Sequence, residues 1–161
     1  MEEKLNEQIT DDILQLVSFK IGDEEFGVDI LKVQEINRMF TITQVPNAPS
    51  FVEGVVNLRG KIIPVVNLRK RLQLPVVESN DKTRIIVVEL DNATVGFIVD
   101  EVKQVLRIPK SITEPAPSMI AGIDTDYITA VGKLDDRLLI LLDLEKILSN
   151  EEKSILDEIN K

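Results

Sequence analysis

The chain has 161 residues, 43% of them hydrophobic but only 4% aromatic, with no Trp and a formal net charge of −9. About 70% of the unfolded surface can be buried at this length, so a core is available and must be built from Val, Ile and Leu. The acidic balance argues against a phosphate-neutralising nucleic-acid surface, and the absence of both His and Cys excludes disulfides, Ser-His-Asp or Cys-His catalysis and the usual zinc ligand sets.

Residues 1–13 are polar and acidic and are expected to form a flexible lead; without an apolar stretch they are no signal peptide. Leu14–Ile21 reads as a strand, Gly22-Asp23-Glu24-Glu25 as a turn, and Phe26-Gly27-Val28 as the return strand. Ile30, Val33 and Ile36 then lie three apart, which predicts one apolar stripe on a single short helix or turn. A Pro-bearing loop over Val45–Ser50 follows. Val52–Val56 and Ile62–Val66 are Val/Ile-rich runs around Asn57-Leu58-Arg59-Gly60-Lys61, a hairpin with Asn and Gly where positive φ is needed. Arg69-Lys70-Arg71 lies on a short helical tail and reads as a solvated face. Gln73–Lys82 joins this half to the next.

The second half repeats the first. A shift of 69 places Leu16, Val17, Phe19 and Ile21 on Ile85, Ile86, Val88 and Leu90, and Ile30, Val33 and Ile36 on Val99, Val102 and Val105. A shift of 76 places Val55, Leu58 and Lys61 on Val131, Leu134 and Arg137, Ile62-Ile63 on Leu138-Leu139, and Val65-Val66 on Leu141-Leu142. Two blocks in the same order at nearly constant offsets indicate an internal duplication, with units at about 14–72 and 84–148 inside one domain spanning 14–148. Ser149 and Glu152 form a capping box, and Ile155, Leu156 and Ile159 give residues 149–161 the pattern of an amphipathic final helix. Short strands with turns every eight to twelve residues predict an all-β fold with short helices, two small five- or six-stranded barrels. The residues leave open whether each barrel uses consecutive strands or the halves exchange them. The apolar run Leu138–Leu142, five residues, is far short of the ~20 of a membrane helix, so a soluble, cytoplasmic protein is expected.

Little here resembles an active site. Gly54 to Lys61 is superficially like a phosphate-binding loop, but it has five residues between its glycines, Ile62 in place of Ser or Thr, and strands on both sides. Asp124, Asp126, Asp135 and Asp136 could hold a metal or form an acid–base pair, as a small acid- or metal-dependent hydrolase would require, yet all fall at turns. No metal or cofactor is expected. Arg59, at a hairpin tip where the second copy has Asp135, suits a binding module.

On Gly27–Ile36, Val45-Pro46, Phe51–Gly60, Ile62–Arg69 and Gly96–Asp100 the chain resembles the CheW family of bacterial chemotaxis coupling proteins. The Asn-Leu-Arg-Gly hairpin with its downstream Pro is shared with the regulatory domain of the kinase CheA, so a severed regulatory domain is a second alternative, disfavoured by the acidic lead and capped final helix. The resemblance implies two SH3-like five-stranded barrels and a non-catalytic adaptor joining the cytoplasmic tips of chemoreceptors to the histidine kinase CheA in membrane-associated arrays. It further implies receptor binding at Ile30, Val33, Glu35, Arg59 and Val99, in and beside an apolar groove between the barrels, and kinase contacts at Ile62 and Met119. The outermost groove residues, Ile30, Val33 and Val99, are expected to stay partly exposed.

Overall fold

The structure is a computed structural model and describes residues 12–91, 93–115, 127–149 and 152. Among the described residues eleven strands follow one another: β1 Ile13–Ile21, β2 Glu24–Asp29, β3 Val33–Arg38, β4 Val52–Leu58, β5 Lys61–Asn67, β6 Arg84–Leu90, β7 Ala93–Val99, β8 Glu101–Pro109, β9 Thr113–Pro115, β10 Ile128–Lys133 and β11 Leu138–Leu142. Helical turns Leu68–Arg71 and Leu144–Ile147 follow β5 and β11. The side chains of Asn67 and Asp143, equivalent under the shift of 76, cap them by accepting from the N–H groups of Lys70 and Glu145.

The hairpins of the two halves pair in one register. Val17 faces Val28 and Phe19 faces Phe26 in β1–β2; Ile86 faces Phe97 and Val88 faces Val95 in β6–β7, each 69 residues on. Val56 faces Ile63 in β4–β5 and Gly132 faces Leu139 in β10–β11, 76 residues on, and both hairpins carry a bulge near their start, at Val52/Gly54 and Ile128/Ala130. At the first bulge Gly54 has φ +150°, and a Cβ there would collide with the Thr43 carbonyl.

Strands are exchanged between the halves. One sheet runs β8-β1-β2-β11-β10-β9 and the other β3-β6-β7-β5-β4. Each half therefore lends its first hairpin to the sheet built by the other: β2 pairs parallel with β11, and β7 pairs parallel with β5. The architecture is two SH3-like barrels, but the first sheet has six strands. The sixth, β9, pairs Glu114 with Val131, and its counterpart is the single bridge from Thr43 to Val55, after which the chain turns away at Val45-Pro46.

A large central core draws on both sheets, from Phe19 and Val28 to Val66, Ile86, Phe97 and Leu142. Two smaller clusters each belong to one sheet: Val56, Ile63, Val65, Ile85 and Val87 in one, Leu16, Ile108, Leu139 and Leu141 in the other. The segment Ile30–Ile36, expected to carry its stripe on a single short helix or turn, is a 3₁₀ turn, Ile30–Lys32, running into strand β3. Asp29 Oδ1 accepts from the Leu31 N–H at 2.9 Å and starts that turn. Along β3 burial still alternates every two residues, with Val33 half-buried and Ile36 40% exposed, so Ile30, Val33 and Ile36 do not form one buried stripe. At the C-terminal end the Ser149–Glu152 capping box is formed, with Ser149 N donating to Glu152 at 2.7 Å and Glu152 N donating to Ser149 Oγ at 3.1 Å. The rest of the expected final helix lies outside the described residues.

Candidate functional site

The tip of the β4–β5 hairpin is a two-residue turn in which Arg59 has φ +52° and Gly60 +86°, the left-handed pair that matches strand twist. Asn57 Oδ1 accepts from Gly60 N at 2.9 Å and steadies it. The turn aims Arg59 at β3, where its guanidinium bonds to both carboxylate oxygens of Glu35, one at 3.3 Å and the other closer. Because β3 and β4 are the outer strands of the second sheet, this ion pair ties one edge to the hairpin at the other.

Asn37, two residues along β3, donates to Glu35 Oε1 at 2.7 Å. Its part was missed in the sequence, although a polar side chain two positions away on one strand face is a readable signal. The bond from Arg59, helped by the one from Asn37, holds the Glu35 carboxyl below the usual carboxylate range, and Glu35 in turn raises the Arg59 guanidinium. Arg59 keeps 72% of its side chain exposed, so the pair is a surface feature that a partner can reach. The second half has no such pair, since Gln104 and Asp135 stand at the equivalent positions.

The apolar members lie next to it along the chain. Val33 opens β3 and is half-buried against the central core; Ile30, in the turn before it, is also half-buried and lines a cleft of about 540 Å³. Leu31 beside it is 88% exposed. Val99 corrects an expectation: it is 1% exposed and belongs to the central core, because β7 is an inner strand covered on both faces. It can shape the surface from beneath but offers no side chain to a partner. Ile62, at the start of β5, is 43% exposed. Met119, Asp124 and Asp126 lie outside the described residues. Asp136 is paired with Arg137 at 2.8 Å, and Arg137 also reaches Glu25 at 2.6 Å. Among the described residues no group of three or more acidic side chains is placed to hold a metal ion, and the site offers no nucleophile with a base beside it. Its means are charge, hydrogen bonding and apolar contact.

Residues 15–152 match the family model of the CheW-like domain. The chain is 40% identical over 147 residues to the chemotaxis protein CheW of Klebsiella aerogenes, covering 91% of this chain and 89% of that one. It is also 40% identical over 136 residues to the chemotaxis protein CheW of Thermotoga maritima, covering 83% and 87%. The crystal structure of the scaffolding protein TtCheW from Thermoanaerobacter tengcongensis superposes with a TM-score of 0.79 at 35% identity, covering 88% of this chain and 96% of that one. With most of both chains aligned in sequence and in fold, this chain belongs to the CheW family.

Proposed function

We propose that the chain is a non-catalytic chemotaxis adaptor that couples the cytoplasmic tips of chemoreceptors to the regulatory domain of the kinase CheA, at membrane-associated receptor arrays. The observation that carries the receptor side is the exposed Arg59–Glu35 pair set beside the half-buried Ile30 and Val33. A helical hairpin could lay apolar residues on Ile30 and Val33 while its polar residues compete for Arg59. Ile62, exposed at the start of β5, is assigned to the kinase side together with Met119. The working unit is taken as residues 14–148, with repeat units at about 14–72 and 84–148, followed by a helix over 149–161. A hydrolase reading would need its carboxylates gathered, whereas Asp136 is engaged with Arg137.

Co-sedimentation with a receptor fragment and with the kinase tests this reading. Val33→Asp and Arg59→Asp are each expected to reduce receptor binding at least tenfold while kinase binding persists; a tenfold loss corresponds to about 1.4 kcal/mol. Arg59→Asp is the cleaner variant, since Arg59 is largely exposed and its replacement leaves the core intact. Normal coupling of both partners by both variants would refute the site. Because the adaptor needs no metal, dialysis against a chelator is expected to leave its melting temperature unchanged; a fall of several degrees would contradict a metal-free adaptor.

A further inference from the structure

Strands β3 and β6 bring two arginines face to face. Arg38 stands directly opposite Arg84 in their antiparallel register, so both side chains leave the same face of the sheet. Like charges placed this way weaken a strand pair, and the chain carries 28 acids against 19 Lys and Arg that could have neutralised them. Arg59, Arg69, Arg71 and Arg137 each meet a carboxylate. Among the described residues neither Arg38 nor Arg84 does. Arg84 is half-buried and held by main-chain oxygens instead: its Nη1 donates to the carbonyls of Asp81 at 2.7 Å and Thr83 at 2.8 Å. Arg38 is exposed. The fold does not need the second cation. Under the shift of 69 Arg38 matches Arg107 and Arg84 matches Gln15, and Arg107 faces Gln15 in the β1–β8 register. The equivalent strand pair thus forms with a neutral residue opposite its Arg.

We infer that Arg38 and Arg84 form a docking point for acidic side chains of a protein partner, on the face of β3 opposite to Glu35 and Asn37. The two arginines line a cleft of about 410 Å³ with Met39, Asn80, Asp81 and Thr83. Its floor is fixed, since Asn80 N donates to Thr83 Oγ1 at 2.9 Å and Lys82 N to Asn80 Oδ1 at 2.8 Å. That arrangement leaves the side-chain amide N–H groups of Asn80 to donate alongside the guanidinium groups. A guanidinium offers a carboxylate two parallel N–H donors, which makes the pair a match for acids. Of the six lining residues only Met39 is apolar, whereas pockets for small molecules are mostly apolar. Ile36, two residues before Arg38 on the same strand face, is 40% exposed and gives a protein partner an apolar contact beside the charges. Asp81 is the one acid of the lining; its carbonyl holds Arg84, while its carboxylate works against an incoming acid.

The test titrates the isotope-enriched full chain, at low ionic strength, with a short blocked peptide carrying adjacent Glu residues. The amide signals of Arg38 and Arg84 should shift to saturation while that of Arg107 stays in place, and the Gln analogue of the peptide should shift none of them. Arg38→Gln and Arg84→Gln are each expected to weaken binding about fivefold or more, and Arg107→Gln by less than about twofold. Asp81→Asn should tighten it. Arg38→Gln should also melt no lower than wild type, because it relieves the like-charge contact; lost binding then does not come from a lost fold. Absence of a saturable shift, equal weakening by Arg107→Gln, binding of the Gln analogue, or inorganic phosphate bound as tightly as the peptide would each overturn the inference. So would a lower melting temperature for Arg38→Gln, which would make the pair a structural one. The readout needs neither receptor nor kinase, so its failure is separable from failure of the adaptor reading.

Discussion

Asp100 sits between the two sheets at the switch from β7 to β8, and its carboxylate gathers three donors. Arg69 Nε donates at 2.9 Å, Arg69 Nη2 at 2.5 Å and Gly22 N at 2.7 Å, so the β1–β2 turn, the helical turn after β5 and the start of β8 meet on one side chain. Burial pushes the Asp100 carboxyl up, but the bonds from Arg69 and Gly22 outweigh it and leave it below its ordinary value. A depressed carboxylate stabilises the fold above its unfolded value, near 3.9, and that contribution is lost as pH falls through the lower folded value. Asp100→Asn is therefore expected to cost about 1–2 kcal/mol between pH 5 and 7, and the gap to wild type should close in more acid solution. Urea midpoints measured across pH would check it; a gap that widens on acidification would contradict the assignment. At this scale the sequence was partly legible. Arg59 announced itself by lying at a turn and changing to Asp135 in the repeat, but its partner Glu35 lies 24 residues away across the barrel, and only the family resemblance pointed to it.

Strands β5 and β11 illustrate what a local pattern hides. Val65 and Val66 are both 0% exposed, and Leu141 and Leu142 are 6% and 5% exposed. Alternation on a half-solvated strand would have buried one of each pair; here one neighbour enters the central core and the other a cluster belonging to a single sheet. Val66→Ala is accordingly expected to cost about 1–3 kcal/mol and Leu141→Ala about 2–4 kcal/mol. Chemical denaturation with unchanged midpoints would show that these strands do not carry the core. The hairpins themselves were readable, because Asn-Leu-Arg-Gly punctuates two Val/Ile runs and the repeat doubles the signal. At Ile30–Ile36 the expected turn is present over Ile30–Lys32, but the single stripe is not, because Val33 is half-buried and Ile36 lies on the exposed side of β3. Periodicity cannot separate a short 3₁₀ turn running into a strand from a single helical turn.

At the scale of the whole molecule, pairing between halves was beyond sequence reading: equivalent hairpins fit equally well against their own half or the other, and no local propensity chooses. The observed exchange has a mechanical consequence. Residues 12–72 supply β1 and β2 to one sheet and β3, β4 and β5 to the other, so neither sheet is complete within one half. The central core likewise joins Phe19 and Phe26 from the first half to Ile86, Phe97 and Leu142 from the second. Unfolding one sheet strips a hairpin and part of the core from its neighbour, so the two barrels should melt together in one cooperative transition. Cutting the chain in the linker between the helical turn Leu68–Arg71 and β6 gives a sharper test. Each fragment alone would leave its first hairpin without the strand it pairs with, β11 for β2 and β5 for β7, and a lone hairpin is marginal in water. The two fragments are expected to give weak β circular dichroism separately and to regain it when mixed, slowly, because the pairings they restore are distant in sequence. Intact chain should melt in a single step whose midpoint falls for a core truncation in either sheet. Two resolved transitions, or a monomeric fragment that folds by itself, would mean that each barrel is stable without the exchanged hairpin.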